Sequence, residues 1–186
     1  GDLVLDACAA PGGKATAIAG TGARVIAADS RRSRAGLIVA NRRRLDLDDL
    51  HVVQADGAAS PYADTTFDAV LVDAPCSGLG ALRRRADARW RIQPGDVDEL
   101  ADLQQQILLA SAPLVKPGGS LVYSVCTLTK AESVDVVAAT AGALAALGFR
   151  ADLPADGGWE PYGPDTLVVV PGAATDGMAL ARWHRA

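Results

Sequence analysis

The feature that most constrains the fold is a short apolar run that ends in an acidic and sulfur-containing motif. Residues 69–72 (AVLV) are followed by residues 73–78 (DAPCSG), which contain an acid, a proline and a thiol. A β-branched apolar run bounded by Pro and Gly is typical of a strand buried on both faces of a parallel sheet. Since open α/β sheets bind ligands at the carboxyl ends of their strands, Asp73 and Cys76 are predicted at a binding edge.

Two other predicted strands also lead to acids. Residues 24–29 (RVIAAD) end in Asp29, and residues 51–57 (HVVQADG) end in Asp56 and a glycine. In nucleotide-binding folds an acid after the second strand accepts the hydroxyls of a ribose, and a further carboxylate can accept an adenine amine. A turn or cap residue is the alternative interpretation of Asp29. Together with Asp73, these acids predict a nucleotide-like ligand.

A glycine turn separates the first predicted strand from the first helix. Residues 3–6 (LVLD) are predicted as a buried strand, residues 10–13 (APGG) as a tight turn and residues 14–19 as a short helix. Glycines let the backbone approach a ligand, and the free amides of a helix start face it. The spacing matches neither the dinucleotide fingerprint nor the P-loop, so the turn alone does not specify the ligand.

The rest of the chain continues the alternation of strands and helices. The predicted elements are a helix at 96–114, a strand at 120–126, a helix at 129–147 that a Thr-Lys-Ala-Glu capping box opens, and closing antiparallel strands at 166–170 and 178–183. Alternating elements joined by short turns predict an α/β fold with a doubly wound, mostly parallel sheet.

Composition limits the class of protein. The chain has 186 residues and is 49% hydrophobic, which favours one globular domain over a disordered segment. No apolar run reaches the roughly 18 residues of a membrane span, and no signal peptide is recognisable, so we expect a cytoplasmic protein. The net charge of −4 argues against a protein coated with positive charge for nucleic acid.

The cysteines are candidates for chemistry rather than for structure. Cys8, Cys76 and Cys126 are odd in number and far apart, and no C-x-x-C pair occurs. This pattern predicts neither a disulfide framework nor a zinc site, and no metal is expected. In a reducing compartment the thiols remain available as nucleophiles.

Arginines form two groups. The group at residues 31–44 has helical spacing and is predicted to be a solvated face. The other group follows the DAPCSG motif and is predicted to contact phosphate; it consists of Arg83, Arg84, Arg85, Arg89 and Arg91. Trp90 lies within it, and its alternatives are stacking on a base or ordinary packing.

Three motifs resemble those of a known family. Residues 6–14 (DACAAPGGK), 73–78 (DAPCSG) and 124–127 (SVCT) are similar, in order and spacing along nearly the whole chain, to RNA cytosine-5 methyltransferases of the RsmB/Sun type. Residues 79–90 and 175–178 resemble the bacterial ribosomal RNA branch. The resemblance implies a Rossmann-like fold with an antiparallel closing strand, S-adenosylmethionine (SAM) as methyl donor, and RNA, with ribosomal RNA favoured, as partner.

The resemblance also implies roles for individual residues. Asp29 would hold the ribose, Asp56 the adenine, and Asp73 would reach toward donor and base. Cys126 would be the nucleophile and Cys76 would assist release of the product. The implied cofactor-binding residues are Cys8, Ala9, Ala10, Pro11, Gly12, Gly13, Lys14, Asp29, Asp56 and Asp73; the catalytic residues are Cys126, Cys76 and Asp73; the RNA-binding residues are Arg83, Arg84, Arg85, Arg89 and Trp90.

The sequence departs from the family in two respects. Val125 stands where many members carry Thr, and the N-terminal RNA-binding regions of that branch have no counterpart before Gly1. Because the sequence shows no internal repeats, low-complexity segments or linkers, we expect residues 1–186 to form a single catalytic domain, and we expect a monomer.

Two other functions compete with this interpretation. One is a module that binds SAM or RNA without activity in isolation, although such a module has no use for two thiols. The other is an amino-methyltransferase, which favours an aromatic residue after a proline pair to cradle the accepting nitrogen. Here residues 75–77 are Pro-Cys-Ser, and a second thiol follows at Cys126. Two thiols in one cleft fit a sequence of attack and release better than a direct methyl transfer.

Overall fold

A computed structural model describes residues 1–155 and 157–186 as a nine-stranded sheet with helices on both faces. The strand order is β3-β2-β1-β4-β5-β9-β8-β7, and β6 pairs with β9 beside this path. The strands are β1 (Leu3–Asp6), β2 (Arg24–Asp29), β3 (Leu50–Gln54), β4 (Phe67–Asp73), β5 (Val115–Val125), β6 (Phe149–Ala151), β7 (Glu160–Gly163), β8 (Thr166–Val169) and β9 (Met178–Arg185). The helices are α1 (Gly13–Ala19), α2 (Arg32–Leu45), α3 (Ala88–Arg91), α4 (Pro94–Ser111) and α5 (Val134–Ala146).

The first five strands are parallel, so their carboxyl ends lie at one edge of the sheet. Leu5 of β1 pairs with Ile26 of β2 on one side and with Val70 of β4 on the other, and Val70 pairs with Leu121 of β5. These apolar side chains fill the interior because helices cover both faces of the sheet. The predicted doubly wound, mostly parallel sheet is confirmed.

The antiparallel strands extend the sheet beyond β5. Ser124 of β5 pairs with Leu180 of β9, and Leu167 of β8 pairs with the same Leu180 from the other side. The predicted antiparallel closing strands are therefore confirmed. Strands β6 and β7 were not predicted, because segments of 3 and 4 residues are too short to show an alternating pattern.

Alternate residues of the central strands support two hydrophobic clusters. Val4 packs on the face covered by α1 and α2, where Ile38 is fully buried. Leu5 packs on the opposite face, where α4 and α5 contribute Leu108 and Val136. Because successive side chains of a strand point to opposite faces, one apolar strand supplies both clusters.

The predicted helix at 96–114 has different ends in the structure. Helix α4 spans Pro94–Ser111, and its first turn carries a capping box in which Gln93 and Asp96 exchange hydrogen bonds. Residues Ala112–Leu114 form a 3₁₀ turn. Pro113 lacks the N–H of a regular helical turn, which ends the α-helix before residue 114. The strand that follows begins at Val115, earlier than the predicted residue 120.

The predicted capping box before α5 is wrong. Helix α5 begins at Val134, and its N-cap residue Ser133 makes no side-chain cap bond. The Glu132 side chain does not return to the backbone of Thr129 but accepts a bond from the Thr129 hydroxyl and enters the core, where it is fully buried. A tertiary contact has replaced the local one that the sequence pattern suggested.

Within the described residues, 1–155 and 157–186, no helix is long and apolar enough to cross a membrane.

Candidate active site

The carboxyl edge of the parallel strands opens into a cleft of about 1150 Å³. The predicted site residues that line it are Cys8, Ala10, Pro11, Lys14, Asp29, Asp56, Asp73, Cys76, Arg83, Arg84, Arg85 and Cys126. The fold therefore brings together the first loop, the strand-end acids, both later thiols and part of the arginine group. Ala9, Gly12, Gly13, Arg89 and Trp90 do not line the cleft.

The two thiols of the later motifs lie in contact. Cys76 follows β4 and Cys126 directly follows β5, and these strands are neighbours with Asp73 paired to Ser124. Their Sγ atoms are 3.2 Å apart, close enough for a sulfur hydrogen bond. The order of the strands in the sheet, rather than proximity in sequence, creates this pair.

The surroundings of the two thiols differ in their electrostatic effect. The hydrogen bond with Cys76 lowers the pKa of Cys126 below the ordinary value, and Arg85 acts in the same direction, although burial and the Asp73 carboxylate oppose them. The same hydrogen bond, then burial, raises the pKa of Cys76, and the Glu132 charge adds to this. The two pKa values thus shift in opposite directions, so Cys126 is the more easily ionised of the two thiols.

Asp73 is fixed between the first loop and β5. It accepts a bond from the Lys14 ammonium at 2.7 Å and one from the Ser124 hydroxyl at 2.8 Å. Its side chain is 30% exposed, and it lines the cleft that also contains Cys126. A carboxylate held in this way keeps lone pairs for a further donor.

Asp29 is held by the start of α2. It accepts bonds from the Arg31 backbone N–H at 2.9 Å and from Nε of Arg34 at 3.1 Å. Arg34 also donates to the carbonyl of Ala10 at 2.8 Å, so it links the first loop to the acid. Arg34 keeps 48% of its side chain exposed, as predicted for a solvated face, and these contacts come in addition to that prediction. Its position one turn into the helix after Asp29 is the only sequence signal for this contact.

The first loop approaches α2 closely enough to require a glycine. Gly12 has a φ of +109°, and a Cβ there would lie 3.3 Å from Cγ2 of Ile38. Glycine at this position therefore lets the first loop pack against α2. At the other side of the cleft, Asp56 is exposed and accepts the N–H of Ala58 at 3.0 Å, which fixes its carboxylate at the rim.

Asp6 is a buried acid beneath the cleft. It is 1% exposed, and neither carboxylate oxygen has a hydrogen-bond partner among the described residues. Burial, with a contribution from the Asp73 charge, raises its pKa to about 7. Burial also raises the pKa of the neighbouring Cys8 to about 12, so this thiol is inert near neutral pH.

The arginine group divides on the structure. Arg83 and Arg84 form ion pairs with Asp176 of the β8–β9 loop, Arg84 through Nε at 2.5 Å. Both arginines are more than half exposed. Trp90 is 80% exposed, so the alternative of ordinary packing is wrong for this chain.

A buried polar cluster behind Cys76 was not predicted from the sequence. It consists of Ser77, Gln104, Tyr123 and Glu132, which are at most 4% exposed. The only sequence signal was a glutamate six residues after Cys126, and a local capping role explained it equally well.

The residues present fit an adenosine and methionine cofactor such as SAM. The cleft is large enough, its wall includes Cys8, Ala10 and Pro11 of the first loop, and acids line it for hydroxyl and amine donors. Each oxygen of Asp29 already accepts one bond and retains capacity for a second.

Comparison with known proteins agrees with the motifs. Residues 1–152 match the family model of 16S rRNA methyltransferase RsmB/F. A Mycobacterium tuberculosis protein is 49% identical over 138 residues, which are 72% of this chain and 29% of that protein. The ribosomal RNA small subunit methyltransferase B of Erwinia tasmaniensis is 44% identical over 137 residues, 72% of this chain and 32% of its own. The chain thus spans about a third of the length of these relatives.

A solved structure extends the agreement to the whole sheet. NSun6 from Pyrococcus horikoshii, determined with SFG, superposes with a TM-score of 0.87 at 27% identity, over 99% of this chain and 48% of that one. The resemblance seen in the motifs and the Rossmann-like methyltransferase fold, whose cofactor is SAM, are both confirmed. The chain belongs to the RsmB/F family of 16S rRNA methyltransferases.

Proposed function

We propose that this chain is the catalytic domain of an RNA methyltransferase that transfers a methyl group from SAM to carbon 5 of a cytosine. The observation that carries the proposal is the contact of Cys76 and Cys126, 3.2 Å apart, in the cleft that contains the strand-end acids. Small-subunit ribosomal RNA is the proposed substrate, because the family and relatives such as that of Erwinia tasmaniensis are named for it.

The donor would be held by the first loop and the acids. Residues 8–14 would surround the methionine part, Asp29 the ribose and Asp56 the adenine, and SAM supplies the methyl group when bound. The link from Arg34 to Asp29 and to the carbonyl of Ala10 supports this assignment, since it ties the ribose acid to the loop.

The chain's own part in the reaction begins with Cys126. Its thiolate adds to carbon 6 of cytosine, which makes carbon 5 nucleophilic. The lowered pKa of Cys126 supports this role, because only the thiolate attacks. Asp73 would hold the proton at ring nitrogen 3, and its fixed position between Lys14 and Ser124 supports that function.

Release of the product requires Cys126 to leave again. A base removes the carbon 5 proton, the electrons reform the ring double bond, and Cys126 departs as a thiolate. The Cys76 Sγ lies 3.2 Å from that sulfur, so its thiol would be in position to donate to it as it leaves. This donation is how Cys76 would assist release.

The RNA would enter over the arginine group. Arg83, Arg84, Arg85 and Arg89 carry charge toward solvent beside the cleft, and the exposed Trp90 offers a surface for a base. The target cytosine must be unpaired or flipped out to reach the thiols. Asp176, which pairs with Arg83 and Arg84, would give way to phosphate.

The proposal has three further parts. Residues 1–186 act as a single domain, the protein is a monomer without a metal, and it works in the cytoplasm. Light scattering of the purified chain tests the monomer, and retention of methylation in the presence of a chelator tests the absence of a metal.

The donor site is tested first, by calorimetric titration of SAM into the chain. We expect binding that Asp56→Ala weakens and that the matched change of an exposed acid away from the cleft, Asp48→Ala, leaves unchanged. Absence of binding, or equal weakening by both changes, would contradict the donor site.

The reaction is tested by incubating the chain with SAM that carries a labelled methyl group and with unmodified small-subunit ribosomal RNA. Label in 5-methylcytosine is the expected result. Label on an amino group would overturn the proposed chemistry, and SAM binding without any label in RNA would identify a donor-binding module instead.

A further inference from the structure

The buried cluster behind Cys76 is centred on the Glu132 carboxylate. One oxygen accepts the backbone N–H of Ser77 at 2.7 Å and an amide hydrogen of Gln104 at 3.2 Å. The other accepts the hydroxyl of Ser77 at 2.6 Å and that of Thr129 at 2.8 Å. Glu132 and Gln104 are fully buried, and all four contacts donate to the carboxylate. A buried acid with four donors fixes the position of each of them.

The cluster fixes both neighbours of Cys76 in the chain. Ser77, the residue after it, is bound to Glu132 through its backbone and its side chain. Pro75, the residue before it, accepts a bond at its carbonyl from Gln104 at 2.8 Å. The backbone of Cys76 is therefore clamped on both sides, whereas its thiol faces Cys126 and the cleft.

The cluster is also tied to the strand that carries the other thiol. The Tyr123 hydroxyl, on β5, lies 2.7 Å from the carbonyl of Glu132 and 2.9 Å from Oε1 of Gln104. Tyr123 precedes Cys126 by three residues and is 1% exposed. One network thus spans β5, α4 and the two loops that hold the thiols.

We propose that Glu132 is a positioning residue, which holds the Cys76 thiol against Cys126 so that it can assist departure of Cys126 from the methylated base. The inference rests on the proposed function for the identity of the reaction. It adds a residue that does not line the cleft and acts on both neighbours of Cys76, on Ser77 directly and on Pro75 by way of Gln104. The Glu132 charge also favours the protonated form of Cys76, which is the form that donates.

A purely structural role makes a different prediction. If Glu132 only stabilised the fold, its loss would lower every step in proportion to the folded fraction. If it positions Cys76, release slows while attack by Cys126 persists. The ratio of the two rates separates the roles, and it does not depend on how much protein is folded.

The test uses Glu132→Gln, which keeps the size of the side chain and removes its charge. With RNA and SAM at about pH 9, where Cys126 is ionised, we expect covalent protein–RNA adduct to accumulate on denaturing gels. Release should slow by about 10- to 100-fold, as for a misplaced catalytic group, with little change in the rate of adduct formation. Ser77→Ala, which removes one of the two Ser77–Glu132 contacts together with the contact to the Thr127 hydroxyl, should give a smaller effect in the same direction.

Thr140→Ala is the matched control, because Thr140 is fully buried on α5 and bonds only to Val136 and Val137 of its own helix. It should lower stability without trapping adduct. An unchanged ratio of release to attack in Glu132→Gln, or the same change in Thr140→Ala, would overturn the inference.

A second measurement needs neither SAM nor RNA. Iodoacetamide labelling mapped by mass spectrometry should show faster modification of Cys76 in Glu132→Gln, with Cys8 still protected. Modification of all three cysteines would mean general loosening, and unchanged Cys76 would mean that Glu132 does not hold it; both outcomes contradict the inference. Failure of the proposed function appears separately, as absence of 5-methylcytosine with the unaltered protein.

Discussion

The ends of β4 and β5 carry the same chemical group in opposite environments. Cys76 follows β4, and the residues on either side of it are bound into a buried polar cluster. Cys126 directly follows β5 and lines the open cleft, where its partners are the Cys76 thiol and more distant cations. The pKa of Cys76 is raised and that of Cys126 is lowered. Environment, not residue type, gives the two thiols pKa shifts in opposite directions.

The difference shows that two thiols joined by one hydrogen bond can have very different pKa values. The position of a proton shared between two thiols depends on the burial of each thiol and on the charges around it. Burial and the Glu132 charge raise the pKa of Cys76, whereas Arg85 and Lys14 lower the pKa of Cys126. The changes below would reverse, remove or distort this division.

The largest effect is expected from removing the nucleophile. Cys126→Ala should lower methylation by at least about 1000-fold, because no covalent route to carbon 5 remains. SAM binding by calorimetry should be retained, since the donor site does not use this thiol. Methylation that persists in this variant and disappears in the Cys76 variant would show that the roles are assigned the wrong way round.

The next effect is expected from removing the partner thiol. Cys76→Ala takes away the donor to the leaving sulfur, so the covalent protein–RNA adduct should become the main species on denaturing gels. Cys8→Ala is the control, because Cys8 lies in the same cleft with a raised pKa and should trap nothing. Loss of activity in Cys76→Ala without any adduct would contradict a role in release.

A structural distortion of the pair should follow from filling Gly80. A Cβ at Gly80 would lie 2.3 Å from the carbonyl oxygen of Gly177 and 3.0 Å from that of Cys126. Gly80→Ala should therefore displace the end of β5 and lower the free energy of unfolding by about 1–3 kcal/mol. In Gly142→Ala, where nothing lies within 4 Å of the new Cβ, stability should instead rise by about 0.5–1 kcal/mol. Urea denaturation measures both, and equal stability of the two variants would refute the close contact.

Per pH unit, the smallest effect concerns Asp6, which is buried and, like Cys76, has a raised pKa. Its pKa is about 7 in the folded protein against 3.8 ordinarily, so the folded state binds an extra proton between about pH 4 and 7. Stability should therefore fall as pH rises through this window, by at most about 1.4 kcal/mol per pH unit. Asp6→Asn should remove this slope and Asp48→Asn should not. Parallel pH profiles of wild type and Asp6→Asn would contradict the shift.

Part of the site could be predicted from the sequence, because it depends on local pattern. Short apolar runs that end in Asp29, Asp73 and Cys126 specify buried strands and place those side chains at one edge of a parallel sheet. The glycine turn at residues 10–13 is equally local. The motifs around these residues were sufficient to indicate the family, which the comparisons confirmed.

The contacts that distinguish the two thiols were not predictable in this way. Glu132 matched a capping box within its own segment, and only the packing of α4 and α5 against β5 turns it toward Ser77, 55 residues away. The spacing of Arg34 predicts an exposed helix face, and only the folded structure brings the carbonyl of Ala10 within hydrogen-bond distance of its guanidinium. In both cases a partner distant in sequence, Ser77 for Glu132 and Ala10 for Arg34, adds a contact that the local pattern does not indicate.

The sequence by itself determined the strands, the edge at which they end and the chemical groups that stand there. Only the tertiary structure decided that Cys76 and Cys126 are in contact, that their pKa values shift in opposite directions, and that Glu132 binds the residue after Cys76. The physical reason is that strand periodicity and turn chemistry act over a few residues. Burial, hydrogen bonding and charge depend instead on which segments the folded sheet brings together.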